Sequence, residues 1–287
     1  MGIFRGWILC IVLAPVVYGQ LTVRLGAERD NFVPNEPVIL DVFIISEHNR
    51  AIVLGNEPGW IKFSVLNGQG FPVNTIGPVP SGKLFVLGSR KTVMKGFNLA
   101  PYFDFAEPGE YTIRANIATA NWAPKRFYSD AIKIQVVRPK DLGKRSRSVA
   151  SFAPGEPPEV RRYTLQTTRV RGKSHLFLRV SDNQEPAAKI YNVQPLGSMV
   201  HHARPKFDLD DEGVVHIFFQ SHQRQYFYCR VSAVGKLLQR HTWLSERDRP
   251  FIHRDRQGNF KVQGGRRAPG AGDFPPPRFS GVGSGKD

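Results

Sequence analysis

Apolar and polar side chains alternate along short segments in the first half of the chain. Alternation with a period of two, which predicts strands with one buried face, occurs in three segments: residues 60–65, 111–115 and 131–137. Residues 38–45 are apolar with few polar breaks, as in a strand of a buried sandwich core. Turn-forming segments rich in Pro and Gly, such as residues 107–110, separate these strands. Residues 20–138 are therefore predicted to form a β-sandwich.

The second half of the chain contains an internal repeat. Four residues recur 45 positions further on: Arg204, Pro205, Asp210 and Gly213 return as Arg249, Pro250, Asp255 and Gly258. A period near 45 residues is the length of one four-stranded propeller blade. A fainter copy lies upstream, where residues 172–178 match residues 213–219. We expect Asp210 and Asp255 to make side-chain bonds within recurring turns. Residues 163–265 are predicted to form β-meander, propeller-like repeats.

This repeat region is too short for a closed propeller. About 100 residues make two and a half blades, whereas single-chain propellers use four to eight. We expect either an open meander stacked on the sandwich or self-association with other copies through exposed strand edges.

Two segments are predicted to be disordered. Residues 139–162 form a basic linker that is rich in Ser, Pro and Gly and has no apolar periodicity. Residues 266–287 form a Gly/Pro-rich C-terminal tail with three consecutive prolines. The predicted fold class is thus all-β, with a sandwich, a basic linker, a repeat region and a tail.

Two motifs in the first half resemble bacterial Ig-like domains. Residues 32–38 (Phe-Val-Pro-Asn-Glu-Pro-Val) lead into the long apolar strand, and residues 106–113 place a Pro-Gly turn before an aromatic residue. This pattern is similar to that of macroglobulin-type domains and of a proteinase-inhibitor family with a similar sandwich fold. The resemblance implies an Ig-like fold for the first half. No inhibitory loop of that family can be matched residue by residue.

The N-terminus has the features of a secretory signal peptide. Arg5 supplies the positive charge, residues 7–17 are apolar, and Gly19 offers a small residue at the cleavage site. The apolar run is too short to span a membrane, although an uncleaved anchor is the alternative. No later segment is long and apolar enough for a transmembrane span. We expect residues 1–19 to be removed and the protein to reach the periplasm or the extracellular space.

The positive charge is concentrated in the second half. The chain has a formal net charge of +16, and residues 138–287 hold 27 Lys and Arg against 14 Asp and Glu. The electrostatic field of this positive charge attracts anionic polysaccharide or an envelope surface, without implying a specific nucleic acid. The alternative is that the charge only keeps the protein soluble. The candidate binding residues are the most densely clustered cations: Lys144, Arg145, Arg147, Arg247, Arg249, Arg254 and Arg256. Arg254 and Arg256 are expected on one face of a strand.

No catalytic, metal or cofactor site is predicted. His201, His202, His216 and His222 lie near several aspartates, but no His-Glu-x-x-His spacing joins two ligands. His216 matches His175 in the repeat, which favours a structural role. No nucleophile elbow is present.

The sequence thus favours an exported, non-enzymatic binding or scaffold protein. One alternative is a carbohydrate-active hydrolase or lyase, or its accessory module; such an enzyme would need two carboxylates brought together, and Glu57 and Asp104 are isolated acids. A protease inhibitor is the third candidate.

Cleavage after Gly19 gives the first testable prediction. Mass spectrometry of protein recovered from the exported fraction of a secreting bacterial host should show a mature N-terminus at Gln20. Exported protein that retains residues 1–19 would contradict the signal-peptide assignment.

Overall fold

The computed structural model describes residues 21–55, 57–79, 83–119, 126–150, 157–170, 172–184 and 188–276, and all of their regular elements are strands. The all-β fold class is therefore confirmed. No helix in these ranges has the length and apolarity needed to cross a membrane. The predicted signal peptide, the middle of the predicted linker (residues 151–156) and the last eleven residues (277–287) lie outside the described residues.

Two sheets pack face to face in the first half. One has the order β1-β3-β7, and the other has the order β2-β10-β8-β5 with β9 paired to β8. The strands before residue 138 are β1 (Leu21–Ala27), β2 (Asn31–Phe32), β3 (Ile39–Ser46), β4 (Ile52–Leu54), β5 (Ile61–Asn67), β6 (Phe85–Leu87), β7 (Thr92–Asn98), β8 (Gly109–Ala118), β9 (Arg126–Tyr128) and β10 (Ile132–Val136). Strands β4 and β6 form a separate two-stranded ribbon.

The alternation seen in the sequence decides which side chains form the sandwich core. Leu40, Val42 and Ile44 of β3 are fully buried, whereas Ile39, Asp41 and Phe43 are not. The same period buries alternate residues of β8, and the two sheets bring their inward faces together in shared apolar clusters. A β-sandwich in the first half is thereby confirmed.

The turn after β2 packs against the second half of the chain. The Glu36 carboxylate is fully buried, accepts a hydrogen bond from the Val33 N–H (3.0 Å) and pairs with Arg29. The Arg29 guanidinium also lies 5.7 Å from the centre of the Phe177 ring in the second half. Val33 packs against Phe177 and Val193. The motif that resembles Ig-like domains therefore also forms part of the contact between the halves.

The second half contains two four-stranded antiparallel meanders followed by a hairpin. The first meander has the order β11-β12-β13-β14, the second has the order β15-β16-β17-β18 with β21 added, and β19 pairs with β20. These strands are β11 (Lys140–Val149), β12 (Glu159–Val170), β13 (Lys173–Asp182), β14 (Ile190–Met199), β15 (Lys206–Leu209), β16 (Val215–Gln220), β17 (Gln225–Val231), β18 (Leu237–Leu244), β19 (Phe251–Arg254), β20 (Phe260–Gln263) and β21 (Arg266–Arg267).

The meanders and the hairpin stack through both faces of the second meander. One face shares an apolar cluster with the first meander, in which Leu165 and Leu178 belong to the same core as Ile217 and Cys229. The other face presents Phe218, Tyr226 and Tyr228 to Ile252 and Val262 of the hairpin. Burial on both faces explains the nearly continuous apolar run in β16.

Cys229 lies inside the core between the meanders. It is fully buried, and burial raises the pKa of its thiol to about 12. The residue is thus a packed side chain rather than a reactive thiolate.

The prediction of a disordered basic linker is wrong for residues 140–149 and for residues 159–162, which begin β12. Residues 140–149 form β11, which pairs with β12 from Lys140↔Thr167 to Val149↔Glu159. Most β11 side chains are exposed because the strand is the edge of its sheet, so no apolar periodicity marked it. Backbone hydrogen bonds to β12, rather than burial of its own side chains, keep this strand ordered.

The prediction of a disordered tail is wrong for residues 266–276. Strand β21 pairs with the end of β18, and the buried Asp273 carboxylate accepts bonds from the Thr242 N–H (2.9 Å) and hydroxyl (2.6 Å). Arg267 pairs with the same carboxylate. These polar contacts hold a Gly/Pro-rich segment that has no apolar pattern of its own.

The 45-residue repeat is a recurring turn between a first and a second strand. Asp210 Oδ1 accepts the N–H of Glu212 (3.0 Å) and Val214 (2.8 Å), and Asp255 Oδ1 accepts the N–H of Gln257 (3.0 Å) and Asn259 (2.9 Å). Gly213 and Gly258 follow with φ of 80° and 86°, a left-handed conformation that favours glycine. The predicted Asp turns are confirmed.

The fainter upstream copy is out of register. Gly172 lies between the second and third strands of the first meander, whereas Gly213 lies between the first and second strands of the next one. Residues 172–178 therefore do not correspond to residues 213–219. The correspondence fails because β11, the first strand of this meander, has no apolar periodicity by which its sequence shows a strand.

The two turn glycines provide a matched test of meander packing. A Cβ on Gly213 would lie 3.1 Å from Val149 Cγ1 of β11, whereas a Cβ on Gly258 would meet only the flexible Arg254 side chain at 3.5 Å. We expect Gly258→Ala to cost about 1–2 kcal/mol of backbone strain, and Gly213→Ala to cost roughly 1 kcal/mol or more beyond that. Denaturant unfolding measures both; equal losses would contradict the packing of β11 against this turn.

Candidate functional site

The three repeat units are the first meander, the second meander and the hairpin, and their first strands, β11, β15 and β19, lie side by side. Arg145 of β11 lies over the Phe207 ring of β15 at 5.1 Å, and Val149 approaches the turn at Gly213. On the other side, Arg254 at the end of β19 lies 3.1 Å from the Asp211 carboxylate. We call this surface the basic edge and define it by its cations: Lys144, Arg145, Arg147, Arg204, Lys206, Arg249 and Arg254.

A cleft opens at one end of the basic edge, between the second meander and the hairpin. Its volume is about 690 Å³. Its cationic and exposed members are Arg204, Lys206 and Arg249. The remaining lining residues are His202, Ala203, Phe218, Phe219, Gln220, Tyr226, Pro250, Phe251 and Ile252. The cleft therefore has a basic rim over a largely apolar floor.

The repeat explains why two arginines meet at this cleft. Arg204 and Arg249 occupy the same position before the first strand of successive units. Because those units stack, both side chains line the same cleft. The Arg249 guanidinium lies 5.7 Å from the centre of the Tyr226 ring, which is itself stacked on Phe218 with centroids 5.5 Å apart.

Within the described ranges, no carboxylate lines the cleft or forms an ion pair with Arg204, Lys206 or Arg249. The sequence prediction included Arg249 and missed Arg204 and Lys206. The duplicated Arg-Pro pair was the signal that could have found Arg204.

The predicted cations form one group in the linker segment and one around the last repeat, and one arginine of each group contacts the same carboxylate. Arg147 of β11 lies 3.4 Å from Asp211 Oδ1 and donates to the Asp211 carbonyl (3.0 Å), while Arg254 lies 3.1 Å from Asp211 Oδ2. Arg145 lies 3.8 Å from Asp208, and Lys144 pairs with Asp141 at 3.1 Å. Most of the predicted cations thus already have partners in the folded chain.

Two of the predicted arginines lie outside this arrangement. Arg256 is exposed in the turn after β19, so the expectation that it shares a strand face with Arg254 is wrong, because β19 ends at Arg254. Arg247 is exposed in the loop between β18 and β19 and does not line the cleft.

His216 is used by the fold. Its Nε2 lies 2.9 Å from Asp210 Oδ2, its Nδ1 lies 2.6 Å from the Tyr228 hydroxyl, and its ring stacks on Phe260 at 4.3 Å. A neutral imidazole satisfies both partners by donating from Nε2 and accepting at Nδ1. Burial raises the pKa of Tyr228 to about 12, so its hydroxyl keeps the proton that it donates.

His175 does not share this position. It lies half-buried at the junction of the two halves, beside Arg29 and Lys173. The predicted correspondence of His175 with His216 is therefore wrong, for the same register reason as Gly172. No group of three potential metal ligands occurs in the part of the chain that the structure describes.

Comparisons with known proteins do not place the chain in a family. No protein-family model and no curated protein matches it. The sporulation control protein Spo0M from Bacillus subtilis is a solved structure with 11% identity, covering 57% of this chain and 80% of that chain at a TM-score of 0.29. The E. coli chaperone DraB has 12% identity and a TM-score of 0.25, covering 76% of this chain and 94% of that chain. Both TM-scores are below 0.5, so neither likeness bears on activity or family.

Three histidines with lowered pKa values, one buried and two half-buried, predict how stability depends on pH. Burial lowers the pKa of His175, His216 and His241 below the ordinary 6.5. The contribution of these neutral side chains to the free energy of unfolding is complete above about pH 6.5, where the same histidines are also neutral in the unfolded chain. It is lost as the pH falls from there towards the lower folded-state pKa values.

The midpoint of thermal unfolding should therefore drop between pH 7.5 and pH 5.5. In His216→Gln the drop should be smaller, since one of the three groups no longer titrates. An unchanged wild-type midpoint over this range would contradict the neutral state of these rings in the folded chain.

Proposed function

We propose that this chain is an exported, non-enzymatic binding protein of the cell envelope or extracellular space that holds an anionic polysaccharide on its basic edge. The observation that carries the proposal is the cleft, which Arg204, Lys206 and Arg249 line together without a carboxylate among its described lining residues. Guanidinium groups suit carboxylate and sulfate because two parallel N–H donors match two oxygens.

The arrangement of partners favours the cleft over the rest of the basic half. Exposed charges scattered over a surface are largely screened at physiological salt, where the Debye length is about 8 Å. Arg145, Arg147 and Arg254 are further neutralised by Asp208 and Asp211. Within the described residues, the cleft cations have no carboxylate partner that a ligand must displace, and the apolar side chains beneath them lower competition from water.

At this cleft, a hydrolase is less well supported than binding. Glycoside hydrolysis commonly uses two carboxyl groups that flank the scissile bond, and the described residues of the cleft lining include none. An accessory module of such an enzyme would use the same binding chemistry. For the sandwich, we propose the Ig-like, macroglobulin-type assignment, supported by its two facing sheets and by the buried Glu36 turn within its characteristic motif.

Binding to polygalacturonate at physiological salt tests the proposal. Isothermal titration should show that Arg204→Gln/Arg249→Gln weakens binding about tenfold or more, since two charge-assisted contacts are removed. Arg114→Gln/Arg126→Gln removes the same charge from exposed positions of the sandwich and should change affinity little.

Two outcomes would contradict the proposed function. Equal losses in the two double variants would leave only diffuse attraction by net charge. Equally tight binding to a neutral glycan of similar length would show that the cations do not select the ligand.

A further inference from the structure

We propose that Arg147 and Arg254 form a second subsite of the basic edge, occupied in the free protein by the Asp211 carboxylate and taken over by a long polyanion. This inference rests on the proposed function, since it extends the same ligand beyond the cleft. The three repeat units each contribute one residue to this subsite. Strand β11 supplies Arg147, the β15–β16 turn supplies Asp211, and β19 supplies Arg254.

Asp211 is available for displacement. Its side chain is 79% exposed, and those of Arg147 and Arg254 are 33% and 41% exposed. The turn does not depend on this carboxylate, because Asp210 accepts the backbone N–H groups that close it. Exposed ion pairs contribute little free energy, so an incoming anion loses little by replacing Asp211.

The subsite lies in line with the cleft. Lys206 lines the cleft and begins β15, and Asp211 lies in the turn two positions beyond the end of β15; Arg249 lies two positions before β19, and Arg254 ends β19. At about 3.3 Å per residue, the strand portions alone span roughly 10 Å, and five positions span at most about 17 Å. A single uronate therefore reaches only one of the two sites, whereas a polymer with regularly spaced carboxylates reaches both.

Length selectivity follows from this geometry. A short ligand bound in the cleft leaves the Asp211 ion pairs intact. A long ligand competes with Asp211 for the two arginines, so the carboxylate limits the affinity for polymers and leaves that for monomers unchanged. Asp211 is thus a specificity-determining residue that does not itself contact the cleft ligand.

The test compares Asp211→Asn with Glu212→Gln by titration against polygalacturonate and against galacturonate at physiological salt. Both variants remove one negative charge from adjacent exposed positions, but only the first removes the ion pairs of Arg147 and Arg254. Asp211→Asn should bind the polymer roughly two- to fivefold more tightly than Glu212→Gln, the range expected for releasing exposed ion pairs. The two variants should bind the monomer equally.

Three results would overturn the subsite: equal polymer affinities of the two variants, an equal gain on polymer and monomer, or weaker polymer binding by Asp211→Asn at an unchanged unfolding midpoint. Failure of the proposed function is distinguishable, because it is detected by the Arg204→Gln/Arg249→Gln variant. Polymer binding that depends on the cleft arginines but not on Asp211 removes only the second subsite.

Discussion

Face-to-face packing of successive antiparallel sheets is the constraint on which the second half depends. A four-stranded meander has two faces, and the middle strands of the second meander, β16 and β17, are too apolar to leave either face in water. The second meander solves this by burying one face against the first meander and the other against the hairpin. The sandwich covers part of the first meander through Val33.

Buried polar contacts fix how these layers meet. Arg161 is 1% exposed, donates to the Ala233 carbonyl of the next meander at 3.1 Å, pairs with Glu159 and lies 4.7 Å from the centre of the Tyr191 ring. Asp273 holds the C-terminal segment against β18 through Thr242, whereas the contacts of Glu36 with Val33 and Arg29 lie within the sandwich. Buried charges are costly unless paired, so the contact of Arg161 with Ala233 favours one relative placement of the two meanders.

Stacking also brings the functional surface together. Because the units stack face to face, their first strands lie near one another, and Arg204 and Arg249, at equivalent positions, line one cleft. The edge strand β11 carries cations that discourage pairing with another sheet, and the same cations contribute to the basic edge. The duplicated arginine before each first strand becomes a pair in one cleft.

Local patterns in the sequence were sufficient for the all-β class, four of the sandwich strands (β3, β5, β8 and β10), the Asp turns at Asp210 and Asp255 and the basic character of the second half. Each depends on residues within a few positions of one another or on composition alone. Strand β11 escaped detection because an exposed edge strand has no apolar period, and that omission shifted the register of the upstream repeat. Only the tertiary structure decided that Arg204 and Arg249 share a cleft and that Arg147 meets Asp211 across 64 positions of sequence. Such pairings depend on which sheet faces stack and in which direction, and this is set by the fit of whole apolar surfaces rather than by any local run of residues.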